Sequence, residues 1–232
     1  FEEIRERLGQ VQQRIAQAAV RSGRKAEDIT LISVSKTFDP SIVQLAVDAG
    51  ARDLGENRVQ EAAGKVNQVK GDGLRWHLIG HLQSNKARQA ASIFDVIHTV
   101  DSVDLVRKLD RISGDLGKRP IVLAQVDLGR EPTKSGVEEN DLTDLVAALD
   151  SAVNLKFGGL MTIPPFFDEA ERTRSYFRRL RELFDELNSS RPADRKLDEL
   201  SMGMSHDFEV AIEEGATMIR VGTAVFGSRV KA

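Results

Sequence analysis

Apolar positions along the 232-residue chain alternate between two patterns, a short continuous run and then a helical stripe. The opening segment sets Ile4, Leu8, Val11 and Ile15 on one face and Arg, Glu and Gln elsewhere, which predicts an amphipathic helix stopped at Gly23. Beyond it, apolar runs bounded by polar turns predict strands at 31–35, 53–56, 76–80, 95–99, 121–127, 156–162, 199–203 and 218–222. Helical stripes fall between several of these runs. Residues 41–49 place Ile42, Leu45, Ala46 and Ala49 together, with Gly50 as the stop. Residues 102–111 bring Val103, Leu105, Val106 and Leu109 inward, and Leu142, Leu145, Val146 and Leu149 form another stripe. The longest predicted helix is 168–188, with Phe177, Leu180, Phe184 and Leu187 on one face and an Asp168/Glu171 capping box at its start. A last short helix, 208–214, ends at Gly215.

Strands alternating with helices imply a parallel sheet built from right-handed crossovers. The run 121–126 is almost wholly apolar, as a strand covered on both faces requires. Eight such units close a barrel or form a wide open sheet, and the pattern leans towards a (β/α)8 TIM barrel carrying an extra N-terminal helix. No Gly/Ser-rich linker or composition shift divides residues 1–232, so a single domain is expected.

Composition narrows the function classes. The chain is 41% hydrophobic and 30% charged, with a net charge of −3, which argues against a nucleic-acid surface. Arginines 172, 174, 178, 179 and 181 are interleaved with Glu169, Glu171, Glu182, Asp185 and Glu186, so they read as a solvated helix face. The absence of cysteine excludes disulfides, thiolate catalysis and Cys-ligated metals. No apolar run approaches a membrane span and no signal core opens the chain, so a cytoplasmic location is expected. His77 and His81 are four residues apart, but on a strand that spacing is about 13 Å, too far to share a metal ion. No metal site is expected.

In a barrel of this kind, chemistry belongs at the C-terminal ends of the strands. Lys36 closes the first strand, where an amine that is desolvated or set beside another cation can attack a carbonyl; the plain alternative is a rim lysine reaching solvent. The last two turns, 201–207 and 220–227, combine glycines with Ser205 and Thr223 where barrels often hold phosphate, although Gly and Ser also suit ordinary turns. Arg220 lies between Ile219 and Val221 on an apolar strand. It is suited either to donate to a heteroaromatic nitrogen and keep it unprotonated, or to a structural ion pair.

These residues resemble a known family. The matching pieces are Val34-Ser35-Lys36-Thr37, Gly55-Glu56-Asn57-Arg58-Val59-Gln60-Glu61, Trp76-His77-Leu78-Ile79-Gly80-His81-Leu82-Gln83-Ser84-Asn85-Lys86 and Lys134-Ser135-Gly136. Gly158-Gly159-Leu160-Met161, Leu200-Ser201-Met202-Gly203-Met204-Ser205 with Asp207, and Ile219-Arg220-Val221-Gly222-Thr223 with Phe226-Gly227 complete the set. Spanning almost the whole chain in order, they resemble the pyridoxal phosphate homeostasis proteins (YggS/PROSC). The resemblance implies the barrel of the alanine racemase N-terminal domain, holding pyridoxal 5′-phosphate (PLP) as a Schiff base. Lys36 falls on the Schiff-base lysine and Arg220 on the arginine facing the pyridine nitrogen. Ser205, Gly222 and Thr223 fall on the phosphate cup, with Ser201 and Met204 close by. Asn57 and His77 fall on ring-side positions, and Met161 packs near the ring. His81 and His206 are not assigned as catalytic. Lys86 and Lys134 lie in motifs of the family type, as transit points for PLP or as solvent-facing amines.

PLP on lysine supports racemisation when a proton donor or acceptor sits on each face of the substrate carbon. In alanine racemases the tyrosine base of the opposite face comes from a second, β-rich domain. This chain ends shortly after Thr223, and its one tyrosine, Tyr176, falls in the long helix predicted on the barrel exterior. The expectation is therefore a monomeric carrier with no catalytic residue, which takes up PLP reversibly and delivers it to apo-enzymes. A fold-type III racemase with a smaller base set and a cofactor-free Schiff-base aldolase are the alternatives.

Overall fold

Short apolar runs become strands here because helices cover one face of each and the barrel interior covers the other. The computed structural model describes residues 1–129 and 135–227. Among them, eight parallel strands pair in chain order: β1 (Thr30–Val34), β2 (Asp53–Glu56), β3 (Arg75–Leu78), β4 (Val96–Val100), β5 (Ile121–Gln125), β6 (Lys156–Met161), β7 (Glu199–Met204) and β8 (Met218–Val221). The sheet closes where β8 pairs with β1, with Ile32 opposite Arg220. Closure leaves no unpaired edge. All eight strands predicted from the sequence are present, with ends that differ by one or two residues.

The helices largely follow the predicted stripes, with several departures. α1 (Glu2–Arg21) lays Ile4, Leu8, Val11 and Ile15 into the core. α2 (Pro40–Asp48) starts with proline in its first turn, where the missing N–H costs nothing. It buries Val43, Ala46 and Val47, so the core-facing stripe is turned from the predicted one, whose Ile42, Leu45 and Ala49 are only half-buried. Two short helices, α3 (Val59–Lys65) and α4 (Ala87–Ile93), carry no strong apolar stripe in the sequence. They bury mainly alanines (Ala62, Ala87, Ala90 and Ala91), whose small apolar surface gives a weak periodic signal. α5 (Val103–Leu116) runs one turn past the predicted end, burying Ile112 and Ser113 before left-handed Gly117 stops it. Ser102 caps its start by accepting from the Leu105 amide. α6 (Leu142–Ser151) buries its predicted stripe.

A further departure concerns the longest predicted helix, 168–188. Residues 170–173 form a 3-10 turn, and α7 (Arg174–Ser189) begins after it, so the Asp168/Glu171 capping box does not form. Glu171 instead pairs with Arg174, which also binds Glu213 and Glu214 at 2.7 and 2.8 Å. Arg179 reaches Glu139 at 2.9 Å. These arginines are therefore more than a solvated face, since three of them, Arg174, Arg178 and Arg179, tie α7 to neighbouring elements. The last helices, α8 (Phe208–Glu213) and α9 (Thr223–Phe226), pack against α1. Arg14 of α1 forks onto Glu209 of α8 at 2.9 and 3.2 Å and lies over the Phe208 ring.

Inside the barrel, Ile32, Leu123, Met161 and Met218 form an apolar cluster separate from the main core between sheet and helices. Two glycines let β6 sit tightly between its neighbours. A Cβ at Gly159 would stand 1.8 Å from the Glu199 carbonyl oxygen on β7. That contact yields a prediction. Gly159→Ala forces β6 and β7 apart and lowers stability by about 1–3 kcal/mol, read as a lower unfolding midpoint. A wild-type midpoint would mean the two strands separate without strain.

Candidate functional site

The C-terminal rim of the barrel is built on a locked end of β1. Ser35 Oγ donates to Glu56 Oε1 at 2.6 Å, and Lys65 Nζ donates to the same oxygen and to the Ser35 carbonyl, both at 2.7 Å. Glu56 and Lys65 are both buried, and burial pushes the Glu56 carboxyl up despite the donated hydrogen bonds. Lys36 follows immediately. Then comes Thr37 at φ 68, the one non-glycine residue at positive φ among those described. A β-branched residue is strained there. Its amide is held by Glu61 Oε2 at 3.1 Å. On the next strands, Gly80 allows the β3 loop to press on the backbone of Asn57, since a Cβ would lie 2.1 Å from the Asn57 carbonyl oxygen.

These elements surround a cavity of about 320 Å³. Its polar groups are Lys36, Asn57, Thr173, Ser205, His206, Asp207, Arg220 and Thr223, and its walls are largely apolar, including Val34, Phe38, Ile79 and Ile163. Ser205 Oγ accepts the Gly222 N–H at 3.2 Å, which joins the turns after β7 and β8. The Val225 and Phe226 amides return to the Gly222 carbonyl, so the donors this end offers are the Thr223 N–H and the Ser205 and Thr223 hydroxyls. Phe38 stacks on Phe226 at 4.9 Å, bracing the same corner. Arg220 is 3% exposed and donates to Ser201 Oγ at 2.5 Å and to the Thr162 carbonyl at 2.9 Å. Burial lowers its pKa to about 10, opposed by Asp207, so the guanidinium stays charged at neutral pH. Asp207 accepts the Met204 amide at 2.7 Å, and burial raises its own carboxyl.

Seven of the ten residues singled out in the sequence line this cavity: Lys36, Asn57, Met204, Ser205, Arg220, Gly222 and Thr223. The other three, His77, Met161 and Ser201, are fully buried one layer deeper in the barrel. The period of two along a strand explains the offset for two of them. Ile79 and Ile163, two residues beyond His77 and Met161, are the inward positions that reach the cavity. Ser201 instead supports Arg220 from below. His77 Nε2 contacts Asp53 Oδ1 at 2.8 Å, and its Nδ1 lies 2.9 Å from His98 Nε2. His98 Nδ1 in turn lies 2.8 Å from Ser201 Oγ.

Sequence reasoning missed His98 and the aromatic loop Pro164-Pro165-Phe166-Phe167 that borders the cavity. Signals existed for both: a lone polar ring within the buried strand 96–100, and two prolines followed by two aromatics off the end of β6. Lys86 does not line the cavity, and Lys134 lies outside the described residues. His81 is exposed and contacts Ser135 Oγ at 3.1 Å. Among the described residues, no group of three His, Asp or Glu is arranged to hold a metal ion. No helix described is long and apolar enough to cross a membrane.

His98 gives this site a pH signature. Burial first, then the neighbouring His77 and Arg220, hold its pKa well below the ordinary value of 6.5. Below about pH 6.5 the unfolded chain binds a proton at this position that the folded chain refuses, so stability falls as pH falls. The slope approaches about 1.4 kcal/mol per pH unit, and above that pH the group contributes nothing to the pH dependence. The stability difference between wild type and His98→Gln is therefore expected to narrow from pH 7 to pH 5 in chemical unfolding. Parallel profiles would contradict a neutral buried His98.

Comparison with known proteins agrees with this geometry. Residues 6–230 match the family model described as alanine racemase, N-terminal domain. The pyridoxal phosphate homeostasis protein of Aquifex aeolicus is 43% identical over 224 residues, covering 97% of each chain. That of Escherichia coli K12 is 41% identical over 232 residues, covering 98% of this chain and 97% of the relative. The structure of PipY from Synechococcus elongatus PCC7942 with PLP bound is 42% identical, with a TM-score of 0.84 over 97% of this chain and all of the other. An alanine racemase from Clostridium difficile, 17% identical with a TM-score of 0.73, shares the fold. The chain belongs to the pyridoxal phosphate homeostasis protein family, within the fold family of the alanine racemase N-terminal domain.

Proposed function

We propose that this chain binds PLP in the rim cavity, covalently through Lys36, and that it stores and releases the cofactor in PLP homeostasis. The observation that carries the proposal is a single cavity combining an amine, a buried guanidinium and a donor-rich corner between apolar walls. That donor set fits a flat heteroaromatic aldehyde with a phosphate arm. Named relatives support it, since PipY is described with PLP bound and the curated relatives are named for PLP homeostasis.

Each residue has a physical task. Lys36 Nζ supplies the amine for the cofactor aldehyde, on backbone fixed by Thr37 and by the Ser35–Glu56–Lys65 bonds. Ser205 and Thr223 hold the phosphate through their hydroxyls, and Gly222 leaves the backbone room to approach it. Arg220 donates to the pyridine nitrogen and keeps it unprotonated, because a guanidinium does not give up its proton. Asn57 and Met204 border the ring. His77, Met161 and Ser201 act from the layer beneath. Bound PLP supplies an electron sink, and an arginine partner makes that sink weaker than a carboxylate partner would.

The polar groups on the cavity wall are poorly placed to work as a second base. His206 Nε2 engages the Asp168 carbonyl at 2.9 Å, and the Asp207 carboxylate engages the Met204 amide. Tyr176 stacks on Phe167 at 5.9 Å from helix α7 and is not part of the cavity wall. The reading is therefore a cytoplasmic, monomeric carrier that hands PLP to apo-enzymes and turns over no substrate.

Adding PLP to the purified protein should give a visible absorbance band in stoichiometric amount. Lys36→Ala should lose that band while its thermal midpoint stays at the wild-type value. An unchanged spectrum in the variant would move the attachment elsewhere. Incubation with L-alanine should yield no D-enantiomer, and multiple turnover would overturn the carrier role.

A further inference from the structure

The barrel interior contains one polar chain among apolar neighbours. Asp53 on β2, His77 on β3, His98 on β4, Ser201 on β7 and Arg220 on β8 are linked at 2.8, 2.9, 2.8 and 2.5 Å in turn. His77, His98 and Ser201 are fully buried. Strands β4 and β7 are not neighbours in the barrel, so the link from His98 to Ser201 crosses its interior. At the outer end, Asp53 also meets the half-exposed Arg75 at 2.7 Å.

The two ends dictate where the protons lie. A guanidinium can only donate, so Ser201 Oγ accepts from Arg220. The Ser201 hydroxyl proton then has one remaining partner among the described residues, His98 Nδ1. His98 must carry its own proton on Nε2 and donate it to His77 Nδ1. His77 in turn donates from Nε2 to Asp53, and a carboxylate can only accept. In this order every proton has an acceptor. The reverse order, with the proton on His98 Nδ1, strands the Ser201 hydroxyl proton in a buried site, which is unfavourable. Burial independently keeps His98 neutral, as the ordering requires.

Resting on the placement of Arg220 against the pyridine nitrogen, we propose that Asp53, His77, His98 and Ser201 are positioning residues, a proton-ordered relay that fixes the Arg220 guanidinium as a donor to the cavity. A carboxylate in direct contact would take up two guanidinium N–H groups in a bidentate pair. The carboxylate of the relay, Asp53, instead stands at its far end, separated from Arg220 by two histidines and a serine, and Asp207 acts on the guanidinium through charge. Arg220 spends one N–H on Ser201 and one on the Thr162 carbonyl, which leaves the others for the cavity. The side chain is thereby charged, oriented and still available to a ligand.

The test reads the histidines directly. Nitrogen-15 NMR of the cofactor-free protein should show both His77 and His98 protonated on Nε2 and bare on Nδ1. A proton on His98 Nδ1 would overturn the relay, whether or not any variant folds. Ser201→Ala should scramble the His98 tautomer, shift the visible band of bound PLP and weaken PLP binding about tenfold. Ser201→Thr, which keeps the hydroxyl, should restore all three readouts. Wild-type affinity and spectrum in Ser201→Ala would overturn the positioning role. If wild type binds no PLP, the proposed function fails, while the tautomers still decide the proton order.

Discussion

A guanidinium that the fold buries to 3% exposure keeps its proton and must be given acceptors wherever the chain closes around it. Arg220 receives two neutral ones, a hydroxyl from β7 and a carbonyl just past the end of β6. Neither exists in the right place unless the last three strands are in register with β1, where Ile32 faces Arg220 across the closing seam. Barrel closure and the orientation of this side chain are thus one event. The same closure carries the turns after β7 and β8 together, so that Ser205 can accept the Gly222 amide and form one corner of the cavity.

The opposite side of the cavity is held by different means. The backbone that carries Lys36 is fixed from beneath. A buried Glu56–Lys65 pair clamps the Ser35 carbonyl, and Thr37 adopts a left-handed conformation secured by Glu61. Breaking a buried pair of this kind leaves an uncompensated charge, so the clamp resists partial loss. Gly80 against Asn57 performs the equivalent task on β2 and β3 with no polar group, through close backbone approach. The rim lysine, the hydroxyl corner and the buried guanidinium therefore rest on three separate supports.

Much of this was legible in the sequence, for identifiable reasons. Strands covered on both faces stay largely apolar, so 121–126 stands out, and strand ends point to Lys36 and Arg220. Glycine and hydroxyl residues marked the corner at Ser205, Gly222 and Thr223. Helices α3 and α4 were not legible, because alanine covers the sheet without a strong stripe. His77 and Met161 lie one layer below the cavity wall, because a shift of two residues along a strand moves a side chain from the wall to the layer beneath. His98 escaped notice because a single buried histidine has no sequence pattern. Its significance appears only when β4 faces β7 across the closed barrel.

The relationship to alanine racemases is one of architecture, at 17% identity. The account stands most directly on where the cofactor is joined. Borohydride reduction of PLP-loaded protein, followed by peptide mapping with mass spectrometry, locates that bond. The account predicts one pyridoxyl adduct per chain, on the peptide containing Lys36. An adduct confined to other lysines, or no adduct, would contradict it.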